Sequence, residues 1–175
     1  MSRPVNLPDA MPDVKKPTLL LVCDTHHCKF IDVGGHRIVE QEIVESKEEK
    51  YTDRQTSVRG PSGVLSGVGD ATQAEQNRLR DFASTVGKRL DQAVRSLKIK
   101  EIHIAAPARL LSYLKKYLSK EVAKLVLSEI DGNYVKEPLL KVLLRFRPDL
   151  EQSLEALRDE ENYSPKRHLP KKEKK

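Results

Sequence analysis

The stretch from Glu101 to Asp131, EIHIAAPARLLSYLKKYLSKEVAKLVLSEID, constrains this chain most. An apolar run at Ile102–Ala105 stops at Ala106–Pro107. An amphipathic segment follows, with Leu110, Leu111, Leu114, Tyr117 and Leu118 on one side. A second apolar run, Lys124–Ile130, ends at Asp131–Gly132. Strand, crossover helix, strand is the order that two parallel strands need, because parallel neighbours cannot be joined by a tight turn. Such strands are buried under helices, so the fold class expected is α/β with helices on both faces of the sheet.

The preceding half supplies the rest of the sheet. Thr18–Asp24 (TLLLVCD) is an apolar run suited to a buried central strand. Thr25–His26–His27 can turn the chain into a second strand at Lys29–Val33. Gly34–Gly35 signals a hairpin leading to a third strand at His36–Val44. These three form an antiparallel meander, and with the crossover unit they predict a five-stranded mixed sheet. The longest helix is expected over Thr72–Lys98. Its apolar stripe is Leu79, Phe82, Ala83, Val86, Leu90, Ala93, Val94 and Leu97, and Thr72 with Glu75 fits a capping box at its start. Arg80, Lys88, Arg89 and Arg95 on its other faces read as solvated charge. Pro138 opens a buried helix through Leu139, Leu140, Val142, Leu143 and Phe146, which Arg147–Pro148 breaks. Leu150, Leu154 and Leu157 outline a short, exposed last helix.

Charge divides the chain further. Asn162–Lys175 carries six basic side chains against Glu173, a net +5 out of +6 for all 175 residues. The remainder is nearly neutral. A proline-containing basic block reads as a disordered tail, serving either as a solubilising tail or for contact with a polyanion. The domain division expected is an unstructured arm over 1–16, one α/β domain over 17–146 containing a Gly-rich loop at 46–71, a helix over 147–161 and the basic tail over 162–175. Residues 1–17 lack the apolar core of a signal peptide, and no apolar run approaches the ~20 residues of a membrane helix. A soluble cytoplasmic protein is expected, with Cys23 and Cys28 as thiols.

In this order of elements, Val22–Cys23–Asp24, the long helix from about Glu75, IAAPARLLSYLKKYLS at Ile104–Ser119 and LVLSEIDGNYVKEP at Leu125–Pro138 together carry a resemblance. From about Thr18 to about Leu144 the chain resembles the bacterial host-attachment protein family, described as required for attachment to host cells. That family is in turn similar to the middle domain of eukaryotic and archaeal class-one peptide release factors and of Pelota, which implies an RNase H-like α/β fold. In the release factor the loop before the long helix carries Gly-Gly-Gln. The corresponding RGPSGVLSGVGDATQ, Arg59–Gln73, lacks that triplet, and Gln73 falls where a helix is expected to begin. This departure argues against peptide release.

Among candidate sites the Gly-rich loop stands first. Gly60, Gly63, Gly67 and Gly69 let backbone amides approach a phosphate, a helix start near Thr72 and Gln73 adds favourable partial charge, and Arg54 and Arg59 can supplement it. The other reading is a plain surface loop. In the tail, Lys166, Arg167, Lys171 and Lys172 offer further phosphate contacts. The glycine spacing fits neither a Walker nor a dinucleotide motif. Cys23, His26, His27 and Cys28 are metal-ligand types, but strand directions work against their convergence. Asp24 and Asp131 close strands, where an RNase H-like nuclease holds divalent ions, with Glu129, Asp81 and Glu75 as further acids. Turn and strand-end roles explain them more simply. No catalytic residue, cofactor or metal is expected. The expected function is a non-catalytic binding module that docks on RNA or the ribosome. The alternatives are a direct attachment factor for a host or envelope component, and a peptidyl-tRNA hydrolase or metal-dependent RNase.

Overall fold

A computed structural model describes residues 4–9, 11–47, 67–152 and 155. Its strands are β1 (Val5–Asn6), β2 (Val14–Cys23), β3 (His27–Gly35), β4 (Arg37–Glu45), β5 (Glu101–Ala106) and β6 (Val126–Asp131). Its helices are α1 (Gly67–Leu97), α2 (Ala108–Tyr117), the short α3 (Lys120–Ala123) and α4 (Leu139–Phe146). The sheet runs β1-β4-β3-β2-β5-β6. The pairs β2/β3 and β3/β4 are antiparallel, while β2/β5 and β5/β6 are parallel.

The run Leu19–Cys23 is apolar throughout because β2 is central and covered on both sides. Leu19 and Leu21 enter one core with α1 and α2, while Leu20 and Val22 enter a second core with α4. All four are essentially without solvent exposure, and each such burial stabilises by about 1.5–3 kcal/mol. The first core adds Phe30, Leu79, Phe82, Val86, Leu90, Ile102, Ile104, Leu110 and Leu114. The second adds Ile31, Val33, Val142, Leu143 and Phe146.

Two backbone details fix α1. A Cβ at Gly87 would lie 2.8 Å from the Tyr117 carbonyl oxygen, so only glycine lets α1 approach the end of α2 this closely. At the other end Lys98 takes φ 53°, and Ile99 N–H donates to the Val94 carbonyl at 3.2 Å. This is the left-handed residue and six-to-one bond that terminate many helices, here with lysine where glycine is usual.

Several expectations change. The sheet has six strands, because Val5–Asn6 pairs with Arg37–Ile38 at the β4 edge. The arm read as unstructured contributes Leu7, Met11 and Val14 to the second core, and β2 begins at Val14 rather than Thr18. The long helix starts at Gly67, so Thr72 and Glu75 lie inside it and form no capping box at its start. A glycine costs about 1 kcal/mol in a helix, which a cooperative helix of 31 residues absorbs. The hairpin loop falls one residue later than expected, at Gly35–His36, with Gly35 at φ 58°. Residues 148–152 are helical, but Leu150 is fully buried in the second core, so this segment packs on the body. Cys23 and Cys28 are not thiols. They are direct cross-strand partners in β2 and β3, with Cα atoms 4.0 Å apart, and form a disulfide. No helix is long and apolar enough to cross a membrane among the described residues.

Candidate nucleic-acid interface

Antiparallel pairing sets the geometry at one end of the sheet. His27 pairs with Glu45, so the β2–β3 turn and the end of β4 lie at the same level. Asp24 shapes the turn: its Oδ1 accepts the backbone N–H of His26 at 2.7 Å and of His27 at 2.6 Å. Burial pushes the Asp24 carboxyl up, but these hydrogen bonds outweigh it and hold the pKa below the usual carboxylate value. Ser46 N–H then donates to the His26 carbonyl at 2.6 Å, tying β4 to the turn.

α1 closes the arrangement from above. Arg78 Nη1 donates to the Thr25 carbonyl at 2.9 Å and to Ser46 Oγ at 3.3 Å. Lower down, Arg89 faces Glu42 at 3.6 Å. Between the end of β4 and α1 lies a cleft of about 380 Å³ lined by Glu45, Ser46, Lys47, Arg78, Asp81, Phe82, Ser84, Thr85 and Lys88. Three cations and three hydroxyls face two carboxylates there. An arginine fork, ammonium groups and hydroxyls are the donors that bind phosphate oxygens. Ser46 and Lys47 open the stretch 46–71 that the sequence marks as Gly-rich.

The candidate residues fare unevenly. Arg54, Arg59, Gly60 and Gly63 lie outside the described residues, as do Lys166, Arg167, Lys171 and Lys172. Gly67 and Gly69 form the first turn of α1, so the helix-start partial charge sits beside them and not at Thr72. Thr72 and Gln73 are exposed inside the helix, where Gln73 Nε2 donates to Asn77 Oδ1 at 3.4 Å. Arg78, Lys47 and Ser46 were not singled out by sequence reasoning, and Lys88 was read as solvated charge. One usable signal existed: Arg78 directly precedes Leu79 of the apolar stripe, which puts it at the stripe's border.

Of the acids raised for metal chemistry, Asp24, Asp131, Glu129 and Glu75 are each held by a different partner. Asp24 holds its own turn. Asp131 Oδ1 accepts Ala108 N–H at 2.8 Å at the start of α2. Glu129 pairs with Lys115 and Glu75 with Arg109, while Asp81 faces the cleft. No three His, Cys, Asp or Glu side chains converge as metal ligands among the described residues.

A family model described as "Protein required for attachment to host cells" matches residues 19–143. No curated protein matches the sequence. Among solved structures the chain is similar to an archaeal protein (12% identity, TM-score 0.44), covering 83% of this chain and 38% of that one. It is similar to Dom34 of S. cerevisiae, described as a translation termination-like factor involved in RNA quality control pathways and interacting with Hbs1. There the identity is 12% and the TM-score 0.45, over 81% of this chain and 36% of that one. It is also similar to the archaeal translation termination factor aRF1 (8% identity, TM-score 0.45), over 83% and 42% respectively. The chain thus spans about two fifths of the length of these proteins.

Proposed function

The chain belongs to the host-attachment family, and from that premise we propose that it is a non-catalytic module that docks on RNA, such as that of the ribosome. The observation that carries the reading is the cleft, in which Lys47, Arg78 and Lys88 stand together with the hydroxyls of Ser46, Ser84 and Thr85. Arg54 and Arg59 within the Gly-rich segment, and Lys166, Arg167, Lys171 and Lys172 in the tail, extend the positive charge along the sequence. Such contacts go to phosphates, so affinity is salt-dependent and largely independent of base sequence. The small number of aromatics favours backbone contact over base stacking. Separate partners for Asp24, Asp131, Glu129 and Glu75 favour binding over metal-assisted cleavage.

The same reading takes the fold as RNase H-like with the order of a release-factor middle domain. The run β4-β3-β2-β5-β6, a meander joined to two parallel strands, supports it. It places the protein in the cytoplasm and takes the α/β unit, with the arm's Val5–Asn6 strand included, to be followed by a helix and a basic tail. Deletion of Asn162–Lys175 tests it: the circular dichroism spectrum and Tm stay unchanged, while affinity for a 20-nucleotide RNA hairpin at low salt drops. Equal affinity of the truncated and full chains removes the tail from the account.

A second reading, direct attachment to a host or envelope component, is favoured by the Cys23–Cys28 disulfide, since oxidising exteriors preserve such bonds. Cell fractionation separates the two: an exclusively cytosolic pool removes direct adhesion.

A further inference from the structure

The disulfide sits beneath the element that shapes the cleft. Cys23 and Cys28 enclose Asp24–His27, and this four-residue segment supplies both carbonyls that tie the site together. Thr25 accepts from Arg78 and His26 from Ser46. Both cysteines have 0% exposure and belong to the core that also contains Phe82, a cleft residue. The covalent link, the turn and the arginine therefore form one mechanical unit.

We propose that Cys23–Cys28 is a redox site whose oxidised state holds the cleft in its anion-binding form, and whose access is guarded by the Arg78–Thr25 bond. The reductant is a dithiol. Its thiolate attacks one Cys Sγ, breaking the protein S–S bond and forming a mixed disulfide, and the departing thiolate takes up a proton. The second thiol of the reductant, losing its proton, then displaces the other cysteine. The protein gains two electrons and two protons as the reductant closes its own S–S bond. A dithiol peptide or protein is the matching physiological class, and a disulfide oxidant restores the bond by the reverse steps.

Reduction changes the site because two unbonded sulfurs and two added hydrogens must fit a packed pocket with no exposure. The hairpin end relaxes to accommodate them, and Thr25 and His26 move with it. Arg78 then loses the carbonyl that orients its fork toward the cleft. Attack on sulfur in turn requires the turn to lift, which the bonds from Arg78 to Thr25 and from Ser46 to His26 oppose. Coupling of this kind is reciprocal: a ligand that favours the oxidised form resists its reduction by the same factor.

The inference rests on the RNA reading for its ligand, and the test separates the two. The full chain is titrated with a fluorescent 20-nucleotide RNA hairpin at low salt, oxidised and after dithiothreitol treatment, beside the double variant Cys23→Ser/Cys28→Ser. The expected result is a loss of about five-fold or more in affinity on reduction, regained on reoxidation. The double variant should bind like reduced protein and ignore dithiothreitol. A second measurement needs no RNA: thiol release by dithiothreitol is timed for the native chain and for Arg78→Ala. Faster release from Arg78→Ala is expected. Equal RNA affinity in both redox states overturns the coupling and leaves the RNA reading intact. No RNA binding in either state overturns that reading and the coupling together. Equal release rates overturn the guard whatever RNA does.

Discussion

The Arg78 guanidinium and the Thr25 carbonyl, 53 residues apart in sequence, are joined by a 2.9 Å hydrogen bond that ties α1 to the β2–β3 turn. A second bond from the same nitrogen reaches Ser46 Oγ. The residue that holds the two elements together is thus also a central cation of the cleft. Arg78→Ala is expected to lower stability by about 1.5–3 kcal/mol, the range for hydrogen bonds that involve a charged group. It should weaken RNA binding ~3- to 10-fold at low salt. Arg78→Lys should recover much of the charge effect but less of the stability, since a flexible ammonium stem does not hold a donor between both acceptors as the planar guanidinium does. Urea melts and RNA titrations of both variants check this.

Gly87 is expected to be the least replaceable glycine of α1. Alanine there has the better helix propensity, yet its Cβ would meet backbone at the end of α2 at 2.8 Å. Backbone does not yield as a side-chain tip does, so Gly87→Ala should destabilise by about 1–3 kcal/mol. A rise in Tm for this variant would show that α2 is free to move away.

Lys98 offers the opposite case. Its φ of 53° costs an L-residue roughly 1–2 kcal/mol that glycine does not incur. Lys98→Gly is expected to raise stability by ~1 kcal/mol with RNA affinity unchanged, because α1 still ends in the same bond between Ile99 and Val94. An unfolding midpoint at or below that of the native chain contradicts this.

His103 should make stability fall in mild acid. Its ring is 4% exposed, Nδ1 lies 2.6 Å from Ser128 Oγ, and Phe146 packs with its ring centre 5.2 Å away. Nε2 has no hydrogen-bond partner among the described residues. Burial pushes its pKa below 6.5, with Glu101 acting against the shift and Arg147 reinforcing it. The unfolded chain therefore takes up the proton first. Stability from this group is complete above pH 6.5 and declines as pH falls from there toward the depressed native value. Unfolding midpoints between pH 7.5 and 5 should drop more steeply for the native chain than for His103→Asn.

Much of the fold was legible because pattern and burial agree locally. TLLLVC reads as a doubly covered strand, and the stripe from Leu79 to Leu97 reads as one helix face. The failures share a physical cause: the deciding partner is distant in sequence. Val5–Asn6 is a strand only because Arg37–Ile38 is there to pair with it, and prolines on either side disguise Leu7 and Met11 as parts of a loose arm. Gly67 and Gly69 suggest a loop until the stability of the whole helix is weighed. Cys23 and Cys28 face each other only once the hairpin register is known, although cysteines flanking a four-residue turn hint at it. Arg78 looks like any surface charge until its acceptor at Thr25 comes into view.

The central claim is that phosphate contacts, from the cleft and the basic tail together, bind this protein to RNA. The most direct measurement is the affinity of the full chain for a 20-nucleotide RNA hairpin across a salt series, beside Arg78→Ala and the chain lacking Asn162–Lys175. The account predicts saturable binding at low salt whose logarithm falls linearly with that of salt concentration. Each alteration should flatten the slope, the tail deletion more than the single residue. Absence of saturable binding at low salt, or a slope unchanged by both alterations, contradicts it.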